Sequence, residues 1–386
     1  MTGVSETIPF NRAAIEGAEL NYIQATLQSG HTSSSGEFAR RAGTILQQVT
    51  GAEEVLLTTS CTAALELSGM LLDLQPGDAV VVPSFTFTTT ALAFARQGAR
   101  ILFCDIEPRT LGLDPAHLAS LLDDSVRAVV PVHYAGIACD MDAVSEVLAD
   151  RPDIAVIEDN AHGLFGRWRN QPLGSLGRFA TLSFHETKNI VCGEGGALLL
   201  NEARDVDRAR VLYDKGTNRR AFHLGQVDKY SWQDTGSSFG LSDTLAAYLC
   251  AQLEQREQIQ AKRRALFEFY ADALAPQAER LELRLPVVPA GAESAHHMFY
   301  LLVRDKQTRD RVLQGMRAAG VQPTFHYVPL HSSEAGRRFA ARPTKCPVTD
   351  DVSGRLLRLP FFNNLKADDA QRVVDTLVRV LEGQPQ

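Results

Sequence analysis

Two kinds of segment are missing from this sequence: a run of about 18 consecutive apolar residues, and a charged stretch followed by an apolar one at the N-terminus. We therefore expect no membrane span and no secretory signal, which favours a cytoplasmic protein. Positive charge is not in excess either, because the 386 residues carry a formal net charge of −7. This balance argues against non-specific nucleic-acid binding but is compatible with a local basic pocket.

Clusters of cysteine are also absent. The six cysteines are scattered without a CxxC pair, so the sequence indicates neither a disulfide framework nor a zinc site. His133 and Cys139 are too isolated to make a metal site, and we expect no metal. The composition, 45% hydrophobic and 22% charged, is that of an ordinary globular protein long enough for two domains.

Lysine is scarce, and its distribution is informative. Seven occur, and residues 1–187 contain none. The first, Lys188, follows a β-type run at 179–184 and precedes glycines and a second run at 197–200. Upstream, an apolar run at 154–157 ends in Glu158 and Asp159. A lysine on a turn and an acid at a strand end suggest a carbonyl cofactor held as a Schiff base. Pyridoxal phosphate (PLP) needs such a lysine and an aspartate on its ring nitrogen.

Apolar runs and helical patterns alternate through the first half, which predicts an α/β fold with a mostly parallel sheet covered by helices. The predicted strands cover 55–57, 79–82, 100–103, 128–132, 154–157, 179–184 and 197–200, and the predicted helices 11–29, 37–49, 63–72, 88–95, 115–122 and 141–148. Residues 201–238 lack periodicity and are interpreted as a functional loop. We then predict one long helix from 242 to about 273, a strand at 298–303, and helices at 308–319 and 367–381. The predicted domains are residues 1–274 and 275–386.

Lys188 and Asp159 are the strongest candidates, and each has an ordinary alternative. Schiff-base chemistry needs a neutral amine, so the site should lower the pKa of Lys188 by desolvation and nearby positive charge. The alternative is a solvated surface lysine. Asp159 stands where parallel strands present ligands, but a helix N-cap has the same pattern. His162 suits a place beside a ring, or is an ordinary loop residue.

Further candidates follow other strands. Residues 59–64 open a helix, and their N–H groups suit a phosphate; the alternative is an N-cap without a ligand. Phe87 is either a stacking partner for a flat cofactor or part of the core. Cations and aromatics concentrate in 215–232, a mixture that suits either a nucleotide diphosphate or a solvated loop. The candidate substrate contacts are Lys215, Asn218, Arg219, Lys229, Tyr230 and Trp232, with His326 and Tyr327 as weaker ones.

Five segments, taken in order, resemble the motifs of the DegT/StrS-type sugar-nucleotide aminotransferases. They are 59–64 (Thr-Ser-Cys-Thr-Ala-Ala), 83–87 (Pro-Ser-Phe-Thr-Phe), 132–136 (Val-His-Tyr-Ala-Gly), 158–162 (Glu-Asp-Asn-Ala-His) and 183–188 (Ser-Phe-His-Glu-Thr-Lys). The resemblance extends from Ile8 to Asn363. Within the family, 183–189, 215–219 and 226–232 are most similar to the TDP-4-keto-6-deoxy-D-glucose 4-aminotransferases.

The resemblance implies a fold-type-I PLP enzyme that works as a homodimer with active sites at the subunit interface. It implies that Lys188 forms the Schiff base, Asp159 pairs with the pyridine nitrogen, His162 lies beside the ring and Phe87 stacks on it. The residues that it implies for the phosphate are Ser60, Cys61, Thr62 and Ser183, with Ser238 in place of an asparagine that reaches the neighbouring subunit's phosphate in many relatives. Many relatives also have histidine where this chain has Lys215.

The implied reaction moves an amino group from L-glutamate, through pyridoxamine phosphate, to C4 of a TDP-4-keto-6-deoxyhexose; the galacto or gluco stereochemistry stays open. The alternatives are a 3-aminotransferase, a PLP-dependent sugar dehydratase and a non-catalytic PLP-binding regulator. The resemblance of residues 226–232 to the 4-aminotransferases argues against the 3-aminotransferase. Lys188 argues against the dehydratase type in which histidine replaces lysine. No appended DNA-binding segment supports the regulator. No GxGxxG follows an early strand, which disfavours a Rossmann-type oxidoreductase.

Overall fold

The computed structural model describes residues 7–383, and its centre is a seven-stranded sheet. The strands are β1 (Glu54–Thr58), β2 (Ala79–Pro83), β3 (Arg100–Cys104), β4 (Val126–Val129), β5 (Ala155–Asp159), β6 (Arg167–Trp168), β7 (Gln171–Pro172), β8 (Phe179–Ser183), β9 (Gly196–Leu200), β10 (Ala292–Glu293), β11 (Tyr300–Leu302) and β12 (Leu356–Arg358).

The α-helices are α1 (Glu19–Ser29), α2 (Glu37–Thr50), α3 (Cys61–Leu71), α4 (Thr89–Ala95), α5 (Pro115–Leu121), α6 (Met141–Val147), α7 (Val206–Tyr213), α8 (Arg219–His223), α9 (Asp243–Glu254), α10 (Arg256–Leu274), α11 (Lys306–Ala318), α12 (Glu334–Phe339), α13 (Pro347–Arg355) and α14 (Ala367–Leu381). Many predicted elements are confirmed with ends that move by one to three residues, as expected for boundaries read from sequence.

The large sheet has the order β1-β9-β8-β5-β4-β2-β3. Its pairs are parallel except at β9, which runs antiparallel to both β1 and β8. β2 is buried along its whole length, as its unbroken apolar run predicts for a strand covered on both faces. The predicted α/β fold with a mostly parallel sheet is therefore confirmed.

Two smaller sheets and a second apolar core complete the fold. β10-β6-β7 form one small sheet, and β11-β12 form the other. The C-terminal core gathers residues of β11, α11, β12 and α14 around Phe299 and Leu357, and it also receives Ile8 and the end of α10. The division into domains 1–274 and 275–386 stays a prediction.

Three sequence expectations about helices were wrong. The helix predicted over 11–29 begins at Glu19, because the Glu19 carboxylate accepts hydrogen bonds from the N–H groups of Glu16 and Gly17 and closes a turn there. The long helix predicted from 242 breaks at Gln255 into α9 and α10. The break lets α9 pack on α1 and α2, whereas α10 carries Tyr270 into the C-terminal core.

The third concerns the loop predicted over 201–238, which contains helix α7. Its buried face is small, Ala209 and Leu212. Arg208 forms an ion pair with Asp234, and Arg210 forms one with Glu54. These charged residues within the helix hide its apolar periodicity in the sequence. Within residues 7–383, no helix is long and apolar enough to cross a membrane. No group of three metal-ligating side chains occurs in that same range, and the six cysteines are free.

Candidate active site

A cavity of about 410 Å³ opens where several strands of the large sheet end, the usual place for ligands in α/β folds. β1 leads into it through Ser60, β5 through Asp159 and β8 through Ser183. The structure brings ten of the sequence candidates to its walls: Ser60, Cys61, Thr62, Phe87, Asp159, His162, Ser183, Lys188, His326 and Tyr327.

Lys188 lies in the connection between β8 and β9, which is folded back on itself. Backbone hydrogen bonds from Phe184 N to Gly195 O (2.8 Å) and from Glu186 N to Gly193 O (3.0 Å) close this loop. Gly193 has φ 88°, a conformation that favours glycine. The pKa of Lys188 is lowered to about 8, chiefly by burial. The thiol of Cys61 and the carboxylate of Asp159 act against this shift, and the charge of Arg358 adds to it. The direction of the shift matches the sequence expectation for a reactive amine.

Asp159 ends β5 with its carboxylate buried and held from two sides. Thr90 Oγ1 donates to Asp159 Oδ2 at 2.7 Å, and Ala161 N donates to Asp159 Oδ1 at 3.2 Å. Thr86 Oγ1 lies 2.9 Å from Thr90 Oγ1 and can donate a hydrogen bond to that oxygen, because the Thr90 hydroxyl proton is directed at Asp159. A carboxylate oxygen accepts more than one hydrogen bond, so Asp159 keeps capacity for a further donor in the cavity.

Helix α3 begins at the cavity wall. Ser60 is its N-cap, and Ser60 Oγ accepts from Ala63 N at 3.1 Å. Helix geometry leaves the N–H groups of Cys61 and Thr62 without an acceptor inside the helix, and an anion suits such a position. A Cβ at Gly196 would lie 2.4 Å from Cys61 N, so only glycine lets β9 pack this closely against the turn.

Histidine rings form one wall. His162 stacks on His297 with ring centroids 4.2 Å apart, and His162 Nδ1 is buried without a hydrogen-bond partner among the described residues. Asn189 Nδ2 donates to Ala295 O, so its Oδ1 is the acceptor for His297 Nδ1 at 2.8 Å. Burial lowers the pKa of His162 and of His297 well below the ordinary histidine value, so both rings are neutral.

Aromatic side chains form the mouth. Phe87 is 56% exposed and lies 6.4 Å, centroid to centroid, from Tyr327. Tyr134 OH lies 3.0 Å from His326 Nδ1 behind them. A flat ring entering the cavity therefore meets aromatic surface on the way in.

The other candidates lie outside this cavity, on the segment 214–238. Lys215 and Arg219 both pair with Asp214, at 2.8 and 3.1 Å. Asn218 Oδ1 accepts from Ser231 N at 2.8 Å. Trp232 is 81% exposed, and the remaining members of the set, Lys229, Tyr230 and Ser238, are exposed as well. Their assignment to substrate or to the neighbouring subunit's cofactor stays a prediction.

Sequence reasoning missed three residues that the structure adds. His297 and Arg358 line the cavity, and Asn189 orients His297. The sequence could have indicated Arg358 as a functional residue, since it is a single charge inside the apolar run Leu356 to Pro360. His297 gave none, because its place beside His162 depends on contacts over more than a hundred residues.

The residues present fit a phosphorylated aromatic aldehyde such as PLP. A desolvated amine suits the aldehyde, and a buried carboxylate with spare acceptor capacity suits a protonated ring nitrogen. The first turn of α3 suits the phosphate, and the unpartnered His162 Nδ1 leaves a polar atom for the ligand. These four features occur in one cavity.

Comparison with known proteins agrees with this chemistry. The model of the DegT/DnrJ/EryC1/StrS aminotransferase family matches residues 13–378. The aminotransferase TlmJ from Streptoalloteichus hindustanus is 28% identical, with 97% of this chain and 99% of that chain covered and a TM-score of 0.89. DesV from S. venezuelae, solved in complex with a ketimine intermediate, is 28% identical, with 98% and 99% covered and a TM-score of 0.87. Spr1654 from Streptococcus pneumoniae, solved in a PLP form, is 24% identical over 98% and 100% of the two chains; its TM-score of 0.89 shows a shared fold.

Proposed function

This chain belongs to the DegT/DnrJ/EryC1/StrS aminotransferase family, and from that premise we propose that it transfers an amino group from L-glutamate to C4 of TDP-4-keto-6-deoxy-D-glucose. The products are 2-oxoglutarate and a TDP-4-amino-4,6-dideoxyhexose. The fold is that of fold-type-I PLP-dependent transferases, and PLP is the cofactor. When bound, PLP supplies an aldehyde that accepts amino groups and a ring that draws electrons from the adjacent carbon.

The observation that carries the proposal is the meeting of Lys188 and Asp159 in one cavity, the amine with a pKa of about 8. An amine with this pKa is partly neutral at physiological pH, so Lys188 is the residue that would hold the cofactor's aldehyde. The same amine would accept the proton that leaves the donor's α-carbon and supply the proton that C4 of the sugar gains.

The surrounding side chains hold groups in place. Asp159 accepts a hydrogen bond from the protonated ring nitrogen, and Thr90 fixes the orientation of that carboxylate. The hydroxyl of Ser60 and the N–H groups of Cys61 and Thr62 bind the phosphate, with Ser183 beside them. The neutral rings of His162 and His297 exclude water from one side of the site.

The nucleotide part of the substrate is proposed to contact the segment 214–238. Trp232 and Tyr230 offer exposed rings for a base, and Lys215, Arg219 and Lys229 offer charge for the diphosphate. This segment lies outside the cavity, which supports an active site completed by the neighbouring subunit of a homodimer. The preference for C4 over C3 rests on the resemblance of 226–232 to the 4-aminotransferases.

The test is proton NMR of the product formed from TDP-4-keto-6-deoxy-D-glucose, PLP and L-glutamate. We expect a new proton on C4 next to nitrogen, whose coupling to the proton on C3 is large for the gluco product and small for the galacto product. The matched control is the Lys188→Ala variant under the same conditions. Unreacted keto sugar with fully loaded wild-type enzyme, or an amine on C3 from a 3-keto sugar, would refute the assignment to C4.

A further inference from the structure

Arg358 brings a cation into the cavity from the small β11-β12 sheet. Its backbone is fixed, because Arg358 N donates to Thr324 O at 2.7 Å and Arg358 O accepts from Thr324 N at 3.1 Å. Its Cζ lies 4.6 Å from the centre of the Phe10 ring, so one face of the guanidinium is covered. The side chain lines the same cavity as Lys188.

The guanidinium of Arg358 has no ion pair among the described residues, and its buried Nε has no hydrogen-bond partner there. Burial lowers the pKa of Arg358, and the groups that act against this are the phenols of Tyr134 and Tyr327; no carboxylate contributes. A desolvated cation without an acceptor is costly, so this position implies an anion that comes from outside the chain.

Two other arginines show that the arrangement is unusual in this chain. Arg263 is also buried without a carboxylate, but it donates to three neutral oxygens: the carbonyl groups of His296 and His297 and Asn363 Oδ1. Arg284 has one unpartnered nitrogen, but the charges of Asp351 and Glu107 lie close enough to raise its pKa. Neither lines the cavity. Arg358 alone of the three combines a place in the cavity with the lack of an acceptor.

The shape and surroundings of Arg358 favour a carboxylate over a phosphate. The planar fork of a guanidinium matches the two oxygens of a carboxylate. A phosphate already has donors at the start of α3, which belongs to a different part of the cavity wall. Enclosure by Phe10, Tyr134 and Tyr327 suits a small organic acid better than an extended diphosphate.

We propose that the guanidinium of Arg358 binds a carboxylate of the amino donor. This proposal rests on the proposed function, in which the donor is an amino acid. Bound there, the donor is held in the same cavity as Lys188, and its carboxylate satisfies the guanidinium. The nucleotide sugar then occupies the site after the donor has left as an oxo acid.

The test compares the variants Arg358→Met and Arg358→Lys with the wild-type holoenzyme. The matched control is Arg284→Met, which also removes a partly desolvated guanidinium from the same half of the chain but leaves the cavity lining intact. Isothermal titration calorimetry measures binding of glutarate, an unreactive dicarboxylate, and separately of TDP. Equilibrium dialysis measures the affinity for PLP.

We expect Arg358→Met to weaken glutarate binding on the order of 10- to 100-fold, because charge-assisted hydrogen bonds are lost. The affinity for TDP should be unchanged, and the affinity for PLP should change far less than that for glutarate, through the raised pKa of Lys188 alone. Arg358→Lys should restore part of the affinity, because it keeps the charge without the fork. Arg284→Met should bind glutarate like the wild type.

Three results would overturn the inference: wild-type enzyme that does not bind glutarate, Arg358→Met that loses affinity for TDP instead, or Arg358→Met that loses affinity for PLP instead. The second would assign Arg358 to the diphosphate and the third to the cofactor's phosphate. The experiment needs no keto sugar. Glutarate binding that depends on Arg358 in an enzyme unable to aminate TDP-4-keto-6-deoxy-D-glucose would refute the proposed function and leave this inference standing.

Discussion

The pKa of Lys188 gives the sharpest quantitative prediction. Burial lowers it from an ordinary value of 10.5 to about 8 in the enzyme without cofactor. This difference corresponds to roughly 3 kcal/mol of preference for the neutral amine. At pH 7.5 about a quarter of Lys188 is then neutral, against roughly 0.1% for an ordinary lysine. The direct assay is carbon-13 NMR of the enzyme after reductive methylation of its seven lysines, with Lys188→Ala to assign the signal.

One lysine signal should titrate far below the others, near pH 8. Arg358→Met should raise the pKa of Lys188, and Asp159→Asn should lower it, because these two charges act on the amine in opposite directions. A Lys188 signal that titrates near the ordinary lysine value of 10.5 would refute the desolvation argument.

The same shift has a consequence for stability. Below about pH 8 the amine is protonated in the folded and the unfolded chain, and burial of the charge costs the folded state its full penalty. Between about pH 8 and 10.5 the unfolded chain binds more protons, so stability rises with pH. Lys188→Met should therefore be more stable than the wild type at pH 7 and unfold at a higher urea concentration. The difference in the free energy of unfolding should be at most about 3 kcal/mol and should shrink towards pH 10.5. An equal or lower stability of the variant would contradict this account.

Two further substitutions probe the rest of the site. Asp159→Asn keeps the shape but removes the charge that we propose pairs with the ring nitrogen, so turnover should fall on the order of 100- to 1,000-fold while TDP binding, measured by calorimetry, changes little. Near-normal turnover would return Asp159 to a structural role. Ser60→Ala should weaken PLP binding in equilibrium dialysis and cost about 1 kcal/mol of stability. Asp140→Ala removes a comparable cap from α6, at a position that does not line the cavity, and should lower stability alone. Equal PLP affinity in both variants would remove Ser60 from the phosphate site.

The central part of the site was predictable because it follows from the sheet. Strands buried on both faces appear as apolar runs, and their carboxyl ends meet at one edge. Asp159 and the start of α3 each follow directly after such a run, and Lys188 follows another within five residues. Local sequence is therefore enough to bring these residues together once the sheet is parallel.

The rest depends on contacts that no local pattern contains. The antiparallel direction of β9 is one case, because the run Gly196–Leu200 is apolar in either direction. The turn held by Glu19 and the break at Gln255 are others, since both positions have ordinary helix-forming residues and tertiary packing decides the outcome. His297 and Arg358 reach the cavity only through the packing of the small sheet against the large one.

Hydrogen bonds between the end of β3 and the start of α13 hold this packing, so the geometry of the cavity depends on residues far from it in the sequence. Asp105 follows β3 of the large sheet, and its carboxylate accepts from Val348 N at 2.9 Å and from Thr349 N at 2.8 Å at the start of α13. α13 leads directly into β12 and Arg358. A shift of α13 would therefore move the guanidinium relative to Lys188, although neither residue contacts Asp105. Since a misplacement of about 1 Å is enough to reduce catalysis heavily, the contact between Asp105 and α13 controls whether the guanidinium of Arg358 and the amine of Lys188 keep their relative positions in the cavity.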